Sequence, residues 1–189
     1  MLARSTGHPV MADLLTVSFT AARDLDKGGE ECILNVLITG VPLADRYVTG
    51  GCIGGDAFIG RWLALNRPDA QHVVIVPADR SRVDPWWLEF DRAGHDARVE
   101  LILMPPGTTY ADRNAQLVMR GTMLYGFPAY PEDDPRSLRS GSWQTLRMAR
   151  RAGTLSQWHC VKPPYRGCIE KYPSQFAEAV GIPRRFTDA

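Results

Sequence analysis

Four glycines within six positions, Gly50, Gly51, Gly54 and Gly55, punctuate the segment Tyr47–Leu65, YVTGGCIGGDAFIGRWLAL. A short β-rich run ends just before them at Thr49, and an amphipathic run begins just after. The segment reads as strand, glycine turn, helix. Glycine admits positive φ and lets a neighbour come close to bare backbone. The first amides of a helix have no internal partner and carry partial positive charge. Together these predict an anion site at the turn, with a phosphate as the natural occupant. The competing reading is a tight turn whose glycines serve packing alone. Asp56, in the first helical turn, either complements the helix dipole or reaches a ribose hydroxyl.

Around this turn, strand and helix alternate. Leu14–Thr20 reads as strand 1, with Arg23 and Asp24 just past its end. Glu30–Ile38 has helical apolar spacing, stopped by Gly40-Val41-Pro42. Asp45–Thr49 is strand 2 and Asp56–Asn66 helix 2. His72–Pro77 is a continuous apolar run, as in a strand buried on both faces. Trp86–Arg92 is a short helix behind Asp84-Pro85, Val99–Met104 strand 4, Ala111–Arg120 helix 4 and Met123–Pro128 strand 5. A polar loop over 129–140 leads to helix 5, Trp143–Ala152, then Leu155–Val161 as strand 6. This order predicts an α/β, Rossmann-like three-layer fold with a mostly parallel sheet of five or six strands. Residues 1–11 read as a lead-in, 12–161 as the domain and 162–189 as an arm, irregular around Pro163-Pro164 and Gly167, with a final helix over Ser174–Val180.

In such sheets ligands sit beyond the C-terminal strand ends, near the point where strand order reverses. Four segments fall at such ends: Thr20–Asp24, Gly50–Asp56, Asp79–Asp84 and Arg136–Ser142. The last holds a second candidate turn. Arg136, Arg139, the hydroxyls of Ser140 and Ser142 and the amides around Gly141 meet at a helix start, and arginine forks suit phosphate oxygens. Its competitor is a capped helix behind a solvated loop. His159, Cys160 and Cys168 match no common metal-site spacing, so no metal is expected.

The 189 residues, 44% hydrophobic and 23% charged, suffice for one folded domain. The net charge of +1 argues against a nucleic-acid or anionic-membrane partner. No apolar run approaches the roughly 20 residues that span a bilayer. Four scattered cysteines and the absence of a secretory h-region point to the cytoplasm.

The pieces VSFTAARDL, VTGGCIGGDAFIGRWLA, VVIVPAD, YADRNAQLVMRG and RSGSWQTLRMARRAG, spread over residues 15–155, resemble in this order the SLOG superfamily of Rossmann-like nucleotide binders, in particular its YspA-like (DUF2493) branch. The resemblance implies a pocket for nucleotides or nucleotide-derived ligands such as ADP-ribose-like molecules. The related LOG phosphoribohydrolases cleave the N-glycosidic bond of nucleoside monophosphates. They use an Arg in M-x-x-R-K, which Tyr110-Ala-Asp-Arg113-Asn114 resembles, and a Glu in P-G-G-x-G-T-x-x-E, whose place falls on Thr145 here. Thr145 cannot supply the negative charge that glycosidic cleavage needs. Asp56, Asp112 or Asp134 would have to replace it.

The reading that follows is a cytoplasmic binder of a small-molecule nucleotide, with no required cofactor. Gly50, Gly51, Gly54 and Gly55 would hold one phosphate, and Arg139, Ser140, Gly141 and Ser142 a second. Arg113 would add charge as the candidate catalytic residue, and Arg23 and Asp24 would line the floor. A phosphoribohydrolase and a nucleic-acid-binding module like DprA, of the same superfamily, are the alternatives. A homodimer is expected by analogy.

Overall fold

Alternating apolar runs and turn signals become a single sheet flanked by helices in the computed structural model, which describes residues 14–92, 98–166 and 169–172. The strands are β1 (Thr16–Ala21), β2 (Arg46–Gly50), β3 (Gln71–Val76), β4 (Val99–Leu103), β5 (Met123–Phe127), β6 (Leu155–His159) and β7 (Ile169–Tyr172). The helices are α1 (Lys27–Thr39), α2 (Gly55–Asn66), α3 (Pro85–Arg92), α4 (Tyr110–Arg120) and α5 (Gly141–Ala152). Strand order is β4-β3-β2-β1-β5-β6-β7. Pairing is parallel from β4 to β6, and β7 alone runs antiparallel, against β6. The fold is the expected α/β three-layer arrangement with a largely parallel sheet.

The differences from the sequence reading are local. α1 starts at Lys27, earlier than its apolar spacing indicates, because the Asp26 carboxylate caps it by accepting from the Gly29 amide at 2.8 Å. β7 falls within what reads as an irregular arm. The proposed helix over Ser174–Val180 lies outside the described residues.

Strand periodicity sorts the core into two layers. From the central strands, Val17, Phe19, Tyr47, Tyr125 and Phe127 pack with Ile33 and Leu37 of α1 and Ile59 and Leu63 of α2. On the opposite face Val48, Val73 and Ile75 meet Leu117 of α4, while Leu124 and Trp158 meet Trp143, Leu146 and Ala149 of α5. Beneath α4 and α5 the central strand turns polar: the Ser18 hydroxyl donates to the Leu117 carbonyl at 2.7 Å. α3 extends the first layer, sealing Trp87 against Val74 and Val76.

α2 meets this layer through Gly60, where a Cβ would lie 2.6 Å from Cζ2 of the fully buried Trp87 and 2.9 Å from the Thr49 hydroxyl oxygen. A mid-helix Gly→Ala change normally gains up to about 1 kcal/mol. Overpacking a close-packed site costs about 1–3 kcal/mol. The collision wins, so Gly60→Ala is expected to lower stability by about 1–2 kcal/mol in urea unfolding. An unchanged or raised midpoint would show that α2 and α3 yield at this contact.

Candidate functional site

Chain order reverses at β1: β2, β3 and β4 follow on one side of it, and β5 opens the other. Beyond the C-terminal ends of these strands lies a cleft of ≈ 570 Å³, within the common range for small-molecule sites. Its walls come from the β1–α1 loop (Thr20 to Asp24), the start of α2 (Cys52, Ile53, Asp56), Arg82, the start of α4 (Tyr110, Arg113, Asn114) and the β5–α5 loop with the head of α5 (Ala129, Tyr130, Arg136 to Gln144 in part), plus Lys162. Of the expected site residues, Arg23, Asp24, Asp56, Arg113, Arg139, Ser140, Gly141 and Ser142 are brought together here.

The four glycines of the first turn are not. None of them lines the cleft, and two of their amides are used within the chain: Gly51 N–H donates to the Ile75 carbonyl and Gly55 N–H to the Ala22 carbonyl. Gly54 has φ +92°, and a Cβ there would lie 1.9 Å from the Arg23 carbonyl oxygen; one on Gly55 would lie 2.4 Å from the Ala21 Cβ. The turn is pressed under the β1–α1 loop and stitched to 82–84 by Ile53 N–H to Arg82 O and Asp84 N–H to Gly51 O. For Gly51 and Gly55 the expectation that Gly50, Gly51, Gly54 and Gly55 present amides to a phosphate is corrected accordingly, and at Gly54 glycine allows backbone to approach backbone.

Asp56 and Arg113 form a buried ion pair at the cleft floor, with side chains 7% and 5% exposed. Asp56 Oδ1 also accepts the Ala21 amide at 2.9 Å. Arg113 donates to Asn114 Oδ1 at 2.7 Å and to Cys52 Sγ at 3.1 Å. Burial lowers the guanidinium's proton affinity, but the charge of Asp56 and the hydrogen bonds to Asp56 and Cys52 outweigh it, and the net direction is upward. Burial, chiefly, pushes the Cys52 thiol above its ordinary value, so it stays protonated and is a poor nucleophile. Asp56 is thus a structural partner of Arg113 rather than a carboxylate open to a ribose.

The second turn is arranged differently. Ser140 caps α5, its hydroxyl accepting from Trp143 N–H at 3.3 Å. Among the described residues the amides of Gly141 and Ser142 have no protein acceptor. Arg23 and Arg139 are exposed at the same cleft, and their side chains make no hydrogen bond or ion pair among the described residues. Arg136 is committed elsewhere: Nε and Nη2 grip the two Asp134 oxygens at 2.9 and 2.6 Å. Arg82 lies 3.6 Å from Asp79, and Lys162 3.1 Å from Asp24.

Carboxylates able to replace the missing Glu are equally committed. Asp112 closes a capping box with Thr109, accepting its amide at 2.7 Å, and Asp134 holds Arg136. Thr145 is fully buried and donates to the Gly141 carbonyl at 2.9 Å. Tyr130 and Lys162 line the cleft without a spacing signal in the sequence, since loops bring them there. Arg82 lies in a segment the strand-end rule had already placed at the site.

No family model matches the chain, and no curated protein matches it. Among solved structures it is similar to DNA processing protein A from Helicobacter pylori, reported for its single-stranded DNA binding mode. The TM-score is 0.53 at 15% identity, over 81% of this chain and 68% of that one. This likeness shows the fold. It is of the Rossmann type. It also overturns the expectation, drawn from net charge, that a nucleic-acid partner is disfavoured, because a neighbour on this fold binds single-stranded DNA. Net charge averages over the chain, whereas the cleft is lined by five arginines and Lys162 against Asp24 and Asp56. Among the described residues no helix is long and apolar enough to cross a membrane, and no group of His, Cys, Asp and Glu could hold a metal.

Removing one partner of a buried pair strands the other's charge, at a cost of about 3–5 kcal/mol. Asp56→Ala is therefore expected to lose about that much stability in denaturant unfolding. Asp56→Asn should lose less, since its amide oxygen can still accept from Ala21. Equal losses, or a loss under about 1 kcal/mol for the alanine variant, would mean that the pair does not organise the floor.

Proposed function

We propose that the cleft binds a phosphate of a nucleotide or nucleotide-derived ligand, of the ADP-ribose or nucleoside phosphate type. The Gly141 and Ser142 amides at the head of α5, flanked by Arg23 and Arg139, are the anion receptors. The observation that carries this is the contrast between the two helix heads: at α2 the Gly55 and Ala57 amides go to the chain's own carbonyls, while at α5 the Gly141 and Ser142 amides have no acceptor among the described residues and sit beside two cations with no ion pair among them. A helix N-terminus with free amides is a ready anion site, and a guanidinium supplies paired donors to the same oxygens. We further propose membership of the SLOG superfamily, on the segments that resemble its YspA-like branch, and a cytoplasmic setting, in keeping with the reduced Cys52 thiol that accepts from Arg113. Cleavage of an N-glycosidic bond is the less supported use of the site. Of the two carboxylates in the lining, Asp56 is paired with Arg113, and Asp24 sits beside Lys162 with its side chain 92% exposed.

A second reading is favoured by one observation, the likeness to DNA processing protein A. The same amides and arginines would take a backbone phosphate of single-stranded nucleic acid.

Gly141→Pro tests both. It removes one amide at the first helical position, where proline is tolerated. Ser140 already has the extended ψ of 122° that a following proline requires, and nothing lies within 4 Å of an added Cβ. AMP, ADP-ribose and a short oligothymidylate would be titrated against wild type, Gly141→Pro and Arg139→Ala. Each variant is expected to bind about three- to tenfold more weakly with unchanged melting temperature in the absence of ligand. A steep fall in affinity with salt for the oligonucleotide, but a shallow one for the mononucleotides, separates the two readings. Wild-type protein that binds none of the three at millimolar concentration, and gains no thermal stability from them, would sink both.

A further inference from the structure

Arg136 lines the cleft five residues ahead of Gly141, yet its donors are turned away from any phosphate. Its fork is closed on Asp134, and its Cζ sits over the Tyr130 ring, 3.6 Å from the ring centre. The stack is braced from beneath. The Tyr130 carbonyl accepts Trp143 Nε1 at 2.7 Å and the Ser137 hydroxyl at 3.2 Å, and both donors are buried residues. Asp134 also accepts the Arg136 amide at 2.9 Å. The Arg136 side chain nevertheless remains 54% exposed. A planar cation with its edge occupied and one face covered has its other face to offer.

We propose that this face is a nucleobase platform: the aromatic base of the ligand stacks on Arg136, which itself rests on Tyr130, while the phosphate goes to the head of α5. The proposal rests on the phosphate reading above and adds to it the requirement for an aromatic base. Guanidinium planes stack on π-systems and are more weakly hydrated than ammonium groups. Every base has such a π-face, so stacking selects for a base without selecting which one. Asp134 keeps the platform in register across the physiological range, because hydrogen bonds from Arg136 hold its carboxyl down to about 2.

The test compares AMP with ribose 5-phosphate, which carries the same phosphate and no base, on wild type and Arg136→Lys. Lysine keeps the charge and removes the plane. Wild type is expected to bind AMP about five- to tenfold more tightly than ribose 5-phosphate. Arg136→Lys should lose most of that preference while binding ribose 5-phosphate as wild type does, which also shows that the variant is folded. A parallel fall for both ligands would make Arg136 a phosphate contact and overturn the platform, as would an AMP affinity that Arg136→Lys leaves unchanged. Wild type binding ribose 5-phosphate and AMP equally would also overturn it, with the phosphate reading left standing. Wild type binding neither would bring down the phosphate reading and the platform with it.

Discussion

The buried contact between Asp56 and Arg113 is the constraint on which this cleft depends. Three separate pieces of chain converge on it: the end of β1 through the Ala21 amide, the start of α2 through Asp56 itself, and the start of α4 through Arg113 and Asn114. Ion pairs of this kind gain little net stability over apolar packing, because desolvation offsets much of the attraction. They do demand one geometry, since any other leaves a charge unmatched. Here that geometry places the β1–α1 loop above the glycine turn and fixes where the cleft floor lies. Arg113 commits its charge to this duty, which leaves the groups on the rim as the ones open to charge from outside the chain.

The layout of the fold was legible because periodicity and turn chemistry agreed: β1 to β6 and α1 to α5 lie where apolar runs, caps and breakers place them, with ends shifted by a residue or a few. β7 was not legible. Its pairing with β6 is set by tertiary docking, and four residues after a proline pair and a glycine carry too short a pattern to read. The candidate site was legible in part. Strand-end position placed Arg23, Asp56 and Arg139 around one cleft, and the resemblance at Tyr110–Asn114 pointed to Arg113, which lines it too. The glycine turn misled because two needs select the same residue. A ligand close to bare backbone and a protein loop close to bare backbone both exclude Cβ, and only coordinates reveal that the Arg23 carbonyl occupies the space over Gly54. Tyr130 and Lys162 arrive from loops, where no spacing rule reaches.

Whole-chain charge was the weakest guide. Positive and negative residues nearly cancel over the sequence, but pairing is uneven in space. Glu132 answers Arg147 and Arg150, at 2.8 Å each, on the flank of α5, and Asp134 answers Arg136. Arg23 and Arg139 face solvent at the cleft without such partners among the described residues. Potential at a concave surface is set by the charges within about a Debye length, some 8 Å at physiological ionic strength, so a nearly neutral chain can still present a cationic mouth.

The two helix heads show how one fold makes an anion site available or removes it. Every helix starts with amides that its own ladder cannot satisfy, and a chain must cover them, cap them or leave them to solvent and ligand. α2 takes the first course: the Ala22 and Cys52 carbonyls accept from Gly55 and Ala57, and the helix head disappears beneath the β1–α1 loop. α5 takes the second only in part, through the Ser140 hydroxyl. The loop ahead of it is drawn back instead, held by Trp143 and Ser137 on the Tyr130 carbonyl. A helix of 12 residues thus points its positive end at a cleft where two guanidiniums have no ion pair among the described residues, and that arrangement is the physical ground of the phosphate reading proposed above.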